Sequence, residues 1–284
     1  MRTLYKISVP VSSDNEEATS ELLERMFERP ACAETDLEAG TTHVSVFLER
    51  VPSRTKLKAV VPRFSVQKLR PQNWAESWKH HFKAIEIGST LLIKPSWVRR
   101  KAKPGQRVIV LDPGLSFGTG QHPTTRFCLE QITAFRRERA QQSFLDAGTG
   151  SGILAIAAAK LGYAPARAFD FDPVAVRIAR ANAVRNRVSD KLQIVRQDVA
   201  QENPGREYDL ICANLLADLL LSHQQRLLKW LKPAGTLVVA GILKSQFRNI
   251  QSAYEGVGMR LIASAAENEW KSGVFERRKK IFEK

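Results

Sequence analysis

Between residues 107 and 257, short apolar runs alternate with longer stretches in which apolar residues recur at helical spacing. The runs at 107–111, 143–146, 166–170, 192–196, 209–214 and 235–240 are predicted as strands, and the stretches near 123–137, 152–162, 173–187, 217–231 and 244–257 as helices. Strands that alternate with helices of this length predict a parallel, doubly wound α/β sheet.

The first part of the chain has a different rhythm. Residues 3–10 alternate as a strand does. Ser13-Asp14-Asn15-Glu16 supplies a capping-box start for a helix through about Phe27, with Leu22, Leu23, Met26 and Phe27 as its apolar stripe. Segments near 31–37 and 42–49 read as strands on either side of an Ala39-Gly40 turn. A short helical piece and a strand near 63–69 complete a βαββαβ order, the split-βαβ arrangement of a ferredoxin-like α+β domain. The predicted organisation is a small recognition domain at 1–69, a linker at 70–97 and an α/β domain at 98–284. In the linker Trp74, Trp78 and Phe82 share one helical face, a stripe that packing between domains accounts for more readily than substrate positioning.

Composition narrows the class. The 284 residues are 43% hydrophobic, enough for a substantial core, and no uncharged apolar run reaches the roughly 18 residues that a membrane span needs. The N-terminus lacks an apolar signal segment, and Cys32, Cys128 and Cys212 are too few and too scattered for a disulfide framework. A reducing, cytoplasmic location is expected, with no membrane partner. The histidines and cysteines form no metal-ligand spacing. The formal charge of +15 is unusual. It favours RNA, a ribosomal surface or an acidic protein as partner, although a uniformly basic proteome would produce it too.

Candidate chemistry concentrates where a buried strand meets a helix. Phe144-Leu145-Asp146 is followed by Gly148, Gly150 and Gly152, then by an alanine-rich helical run. Glycines let backbone turn sharply and approach a ligand, and a helix N-terminus offers unpaired N–H groups. A dinucleotide loop has G-x-G-x-x-G spacing, suited to pyrophosphate. Here the spacing is G-x-G-x-G, and Asp146 just before it would repel a pyrophosphate yet could hold an ammonium group. Asp170 closes the next predicted strand, where a carboxylate can accept both ribose hydroxyls. Asp172 followed by Pro173 is the better helix cap, which leaves Asp170 for a ligand. Asp198, past the third strand, could accept from an adenine amino group. A ligand with ribose and ammonium but no phosphate is S-adenosylmethionine (AdoMet), and Asp146, Gly148, Gly150, Asp170 and Asp198 are its candidate contacts.

Longer motifs point the same way. The run from Leu111 to Thr125 (LDPGLSFGTGQHPTT), the stretches Asp146–Lys160 and Asp170-Phe171-Asp172-Pro173, and Ala213-Asn214-Leu215-Leu216-Ala217 resemble the PrmA-type methyltransferases of large-subunit ribosomal protein eleven. Gly241-Ile242-Leu243, Glu269-Trp270 and Asn73-Trp74…Trp78…Pro95-Ser96-Trp97 extend the resemblance to about 70–275. It implies a Rossmann-like class I AdoMet-dependent methyltransferase behind an N-terminal recognition domain. It also implies AdoMet contacts at Thr125, Gly148, Asp170 and Asn214. Asn214 would further orient an amine nucleophile, and its setting Asn-Leu-Leu-Ala differs from the Asn-Pro-Pro-Tyr of amide and adenine methylation. The implied substrate is a ribosomal protein, with rRNA contact as a further possibility and a monomer expected. Rival readings are an AdoMet enzyme acting on rRNA or another protein, a nonenzymatic RNA-binding protein with a degenerate site, and an NAD-dependent oxidoreductase.

Overall fold

The structure, a computed structural model, describes residues 4–12, 15–27, 29, 31–36, 41–52, 57–58, 61, 63–69, 83–112, 122–137, 139–201 and 205–278. The Ser13-Asp14 start of the capping box, the Ala39-Gly40 turn, the Trp74-Trp78-Phe82 stripe and most of the Leu111–Thr125 motif lie outside the described residues. Two compact units divide the chain, residues 1–81 and 82–284.

In the first unit alternation in sequence becomes alternation across a sheet. Strands β1 (Leu4–Val11), β2 (Ala31–Asp36), β3 (Thr41–Leu48) and β4 (Ser65–Leu69) form an antiparallel sheet in the order β2-β3-β1-β4. The order is that of a split βαβ, as the pattern predicts. Helix α1 (Glu16–Phe27) presents Leu23 to Ile7, Val9, Val44 and Val46, all buried.

The second unit is built on a seven-stranded sheet in the order β10-β9-β8-β11-β12-β14-β13. Its parallel members are β8 (Phe144–Ala147), β9 (Ala166–Asp170), β10 (Leu192–Arg196), β11 (Tyr208–Asn214) and β12 (Leu231–Leu243). Two antiparallel strands close one edge: β14 (Trp270–Arg277) pairs with β12, and β13 (Met259–Glu267) with β14. Helices α2 (Pro123–Ala134), α3 (Ile153–Lys160) and α4 (Pro173–Arg185) contribute to one apolar core. The second core takes residues of α5 (Ala217–Ser222), α6 (Gln224–Lys229) and α7 (Lys244–Gly256). Successive residues of β8 serve opposite layers, Phe144 in the first core and Leu145 in the second.

Three features differ from the sequence pattern. The run at 107–111 becomes β7 (Arg107–Val110), which joins β5 (Ile85–Ile87) and β6 (Leu91–Lys94) in a separate three-stranded sheet. Part of the stretch read as linker is therefore strand. Asn186 holds β7 from outside, its Oδ1 accepting from Val110 N and its Nδ2 donating to Val110 O, both at 2.8 Å. Asp112 receives the Ser96 amide and hydroxyl and the Arg185 guanidinium, tying 95–112 to α4. The helix read at 217–231 is two helices that meet at His223. Finally, β13 and β14 make the sheet mixed and not wholly parallel.

Candidate functional site

The order of the parallel strands reverses about β8 and β11: β9 and β10 lie beyond β8, β12 beyond β11. In open α/β sheets ligands bind at such a switch point, outside the carboxyl ends of the strands. A cavity of about 570 Å³ is found there. Its wall comes from the ends of five elements: Gly148 and Gly150 after β8, Asp170 and Phe171 at the end of β9, and Gln197, Asp198 and Val199 after β10. Asn214, Leu215 and Leu216 follow from β11, and Gly241 from β12. Phe169, Leu219, His122 and Trp270 also line it.

The glycine loop rises over β9. The amides of Gly148 and Thr149 both donate to Phe169 O at 3.0 Å, and Gly150 N donates to Asp170 Oδ2 at 2.9 Å. Gly148, Gly150 and Gly152 all have positive φ, at 78°, 53° and 84°. A Cβ at Gly148 would also stand 2.4 Å from Leu215 Cδ2, so the end of that leucine side chain would have to move. The positive φ is what favours glycine at this position.

Asp146 is placed differently from the ligand contact that its position suggests. It is 0% exposed, beneath the loop and not on the cavity wall. Its Oδ2 accepts from the Thr149 hydroxyl at 2.6 Å, while Oδ1 is buried with no hydrogen-bond partner among the described residues. Burial pushes its carboxyl up to about 7. The Thr149 hydroxyl and the Ala155 N–H oppose that rise, and the negative charge of Asp170 adds to it.

Asp170, 8% exposed, faces the cavity, and both of its oxygens already accept backbone amides, Oδ2 from Gly150 and Oδ1 from Asp172 at 3.0 Å. It therefore braces the loop as well as lining the cavity, where the sequence suggested a carboxylate free for ligand. Asp172 is the N-cap of α4, accepting from Val174 N at 2.8 Å. Asp198 is exposed on the wall and accepts from Ala200 N. Thr125, in the first turn of α2, is 1% exposed. Its hydroxyl is buried without a partner among the described residues, and it stands behind the wall and not on it.

Asn214 reaches the cavity at the end of β11, packed against Gly241. That glycine, at φ 81°, occupies a bulge where the β12–β14 register shifts, and a Cβ there would lie 3.0 Å from Asn214 Oδ1 and 2.7 Å from Leu215 O. The bulge brings the Gly241 backbone close to the Asn214 amide. Phe171 and Leu216, 71% and 69% exposed, form an apolar rim.

Among the described residues the wall carries the acids Asp170 and Asp198 and neither lysine nor arginine. That lining fits a ligand with cationic and hydroxyl groups and disfavours a pyrophosphate, so the residues present fit AdoMet. Chemistry by pattern alone passed over His122 and Trp270. The two rings meet edge to face at 4.9 Å, and His122 Nδ1 lies 2.7 Å from Thr124 Oγ1. Burial holds the imidazole below its ordinary range, against an upward pull from Glu269. The local signal for His122 was its place directly before Pro123, the N-cap of α2. Nothing local placed Trp270 beside it. Among the described residues no cluster of histidine, cysteine or acidic side chains could hold a metal.

Comparisons with known proteins show the family. The family model described as ribosomal protein L11 methyltransferase (PrmA) matches residues 17–278. The ribosomal protein L11 methyltransferase of Trichlorobacter lovleyi is 39% identical over 239 residues, covering 83% of this chain and 76% of that protein. That of Desulforapulum autotrophicum is 40% identical over 224 residues, covering 78% and 72%. A crystal structure of ribosomal protein L11 methylase from Lactobacillus delbrueckii subsp. bulgaricus superposes with a TM-score of 0.64 at 29% identity. It covers 70% of this chain and 100% of that one.

Proposed function

The chain belongs to the ribosomal protein L11 methyltransferase (PrmA) family, and from that premise we propose that it methylates amino groups of ribosomal protein L11 at the cavity above β8 and β11. It is an AdoMet-dependent enzyme of Rossmann-like fold. The observation that carries the site assignment is the convergence of the glycine loop, Asp170 and Asn214 on one cavity with an acidic, phosphate-averse wall.

AdoMet, when bound, supplies a methyl group already activated as a sulfonium. The residues of this chain then have to bind, orient and exclude water. In our assignment Asp170 receives the ribose hydroxyls and Asp198 the adenine amino group. Gly148 and Gly150 admit the cofactor close to backbone. The buried Asp146 and Thr125 lie behind the methionine end. Asn214 Oδ1, backed by Gly241, accepts an N–H of the incoming amine and aims its lone pair at the methyl group. The reacting amine must first be neutral. A lysine with pKa about 10.4 is neutral about one time in a thousand near pH 7.4, a cost of roughly 4 kcal/mol, whereas an α-amine costs well under 1 kcal/mol. The apolar rim of Phe171 and Leu216 can strip water from a lysine stem and so lower that cost.

Residues 1–69 are assigned as the substrate-recognition domain, and the protein as a cytoplasmic monomer. Contact with rRNA is supported by the charge of +15 and by a cation cluster. Lys160, at the end of α3, is held below its ordinary range by burial and by Arg107, Arg187 and Lys191. Such mutual repulsion is relieved by an anionic partner. Incubation with tritiated AdoMet and separated ribosomal protein and rRNA fractions tests the function. Label in L11 is expected, label in rRNA would move the assignment to an RNA enzyme, and no label in either would overturn it.

A further inference from the structure

We propose that the amino ends of the parallel strands form a docking face for the phosphate backbone of RNA, at the opposite end of the strands from the methyl-transfer cavity. The inference rests on the rRNA contact assigned above and gives it a place; it does not depend on which amine is methylated. Three grooves open there, of about 320, 640 and 630 Å³. The first two are lined from the starts of the strands, by Ser143 just before β8, Ala166 of β9, Leu192 of β10 and Asp209 of β11. The third runs beside Lys229, the last residue of α6. These grooves share no lining residue with the methyl-transfer cavity.

Arg206 lines all three grooves and joins them into one trough. Arg167 and Lys191 lie along one arm, Arg226 and Lys229 along the other, and Lys232 lies in the groove between. Against these cations stand the acids Asp190, Glu207 and Asp209. Asp209 is already engaged, accepting from Lys232 Nζ and from the Ser143 hydroxyl, both at 2.7 Å. Lys191 also belongs to the cluster around Lys160, so positive charge continues beyond the trough. The methyl-transfer cavity, with its acidic wall, has the opposite sign. One end of the sheet thus draws a cationic cofactor and amine, and the other draws a polyanion. A trough with cations along its whole length fits a polymer charged at every link, as a phosphodiester is, better than an acidic peptide with carboxylates on flexible stems. The aromatic residues of the trough, Tyr208 and Trp230, are only 1% and 4% exposed, so they offer no face for a base to stack on. Recognition is therefore of backbone and not of sequence.

Fluorescence polarisation of the full chain with labelled uridine and adenosine oligonucleotides, over a salt series from about 50 to 200 mM, tests the proposal. The wild-type chain should bind both with similar affinity, and saturating AdoMet should leave that affinity unchanged. The Arg206→Ala, Lys229→Ala double variant should reduce the log–log salt slope by about 2. The Arg248→Ala, Arg260→Ala double variant removes the same charge from exposed positions outside the grooves and should leave the slope nearly as it was. Unchanged thermal unfolding and AdoMet affinity show that both variants are folded, and both should still methylate free L11. Equal slope losses in the two double variants, or none in the first, overturn the place assigned here. Displacement of the RNA by polyglutamate at equal charge concentration would make the face a site for acidic proteins and also overturn it. A wild-type chain that binds neither oligonucleotide overturns the rRNA contact itself, whereas failure to label L11 would overturn the methylation reading alone.

Discussion

A carboxyl group sealed under a backbone loop loses its hydration, and its acidity records the loss. Asp146 carries this burden. Its folded value of about 7 exceeds the ordinary 3.8, so between those limits the folded chain holds a proton that the unfolded chain releases. Stability must therefore fall as pH rises through that window, by up to the order of 4 kcal/mol for a shift of this size. Asp146→Asn keeps the acceptor for Thr149 and removes the titration. Urea midpoints between pH 4 and pH 7 should decline less for the variant than for the wild type; parallel curves would assign the dependence to another group. Asp170 presents a different balance. Because it holds the Gly150 amide as well as facing the cavity, Asp170→Ala should weaken AdoMet binding by at least tenfold and also cost about 1–2 kcal/mol of stability. Calorimetry together with thermal unfolding separates the two effects. Asn214→Ala should leave that affinity nearly intact while cutting turnover by a hundredfold or more, because it acts on the amine in the transition state. Equal losses in both quantities would contradict its assignment.

At the scale of elements, the site depends on one irregularity. Strand β12 would continue regularly beside β14 but for the bulge at Gly241, and that bulge brings backbone against Asn214 and Leu215. An alanine there would strain a positive φ and press on backbone that cannot yield. Gly241→Ala should cost about 2–3 kcal/mol of stability and reduce kcat more than it raises KM for AdoMet, as steady-state kinetics on the folded fraction can establish. Legibility at this scale varied with burial. The central parallel strands β8 and β11 were readable because both faces are covered, which makes mostly apolar runs. Strand β13 was not, because seven of its nine residues, Arg260 and Ile262 to Glu267, are exposed and leave no alternation to detect. The break at His223 was hidden as well, since neither glycine nor proline marks it.

For the molecule as a whole, charge decides which encounters are favourable. With +15 overall and the cluster of Lys160, Arg107, Arg187 and Lys191, affinity for an rRNA fragment should fall steeply between about 50 and 200 mM salt. The Lys160→Ala, Lys191→Ala double variant should reduce the log–log slope by about 2, without altering methyl transfer to isolated L11. Filter binding across a salt series measures it.

Information carried within a few residues was readable before any fold was known. The glycine spacing, the carboxylates that end strands, the cap at Asp172-Pro173 and the alternation of strand and helix all follow from backbone sterics and short-range hydrogen bonding. Contacts between distant segments belonged to the tertiary structure. It sent β7 to a separate sheet and put Asp146 under the loop and Thr125 behind the wall. It also drew His122 and Trp270, from opposite ends of the second unit, to one cavity with Asn214. Local pattern indicates which face of a strand or helix seeks cover. Only packing the whole domain settles what covers it.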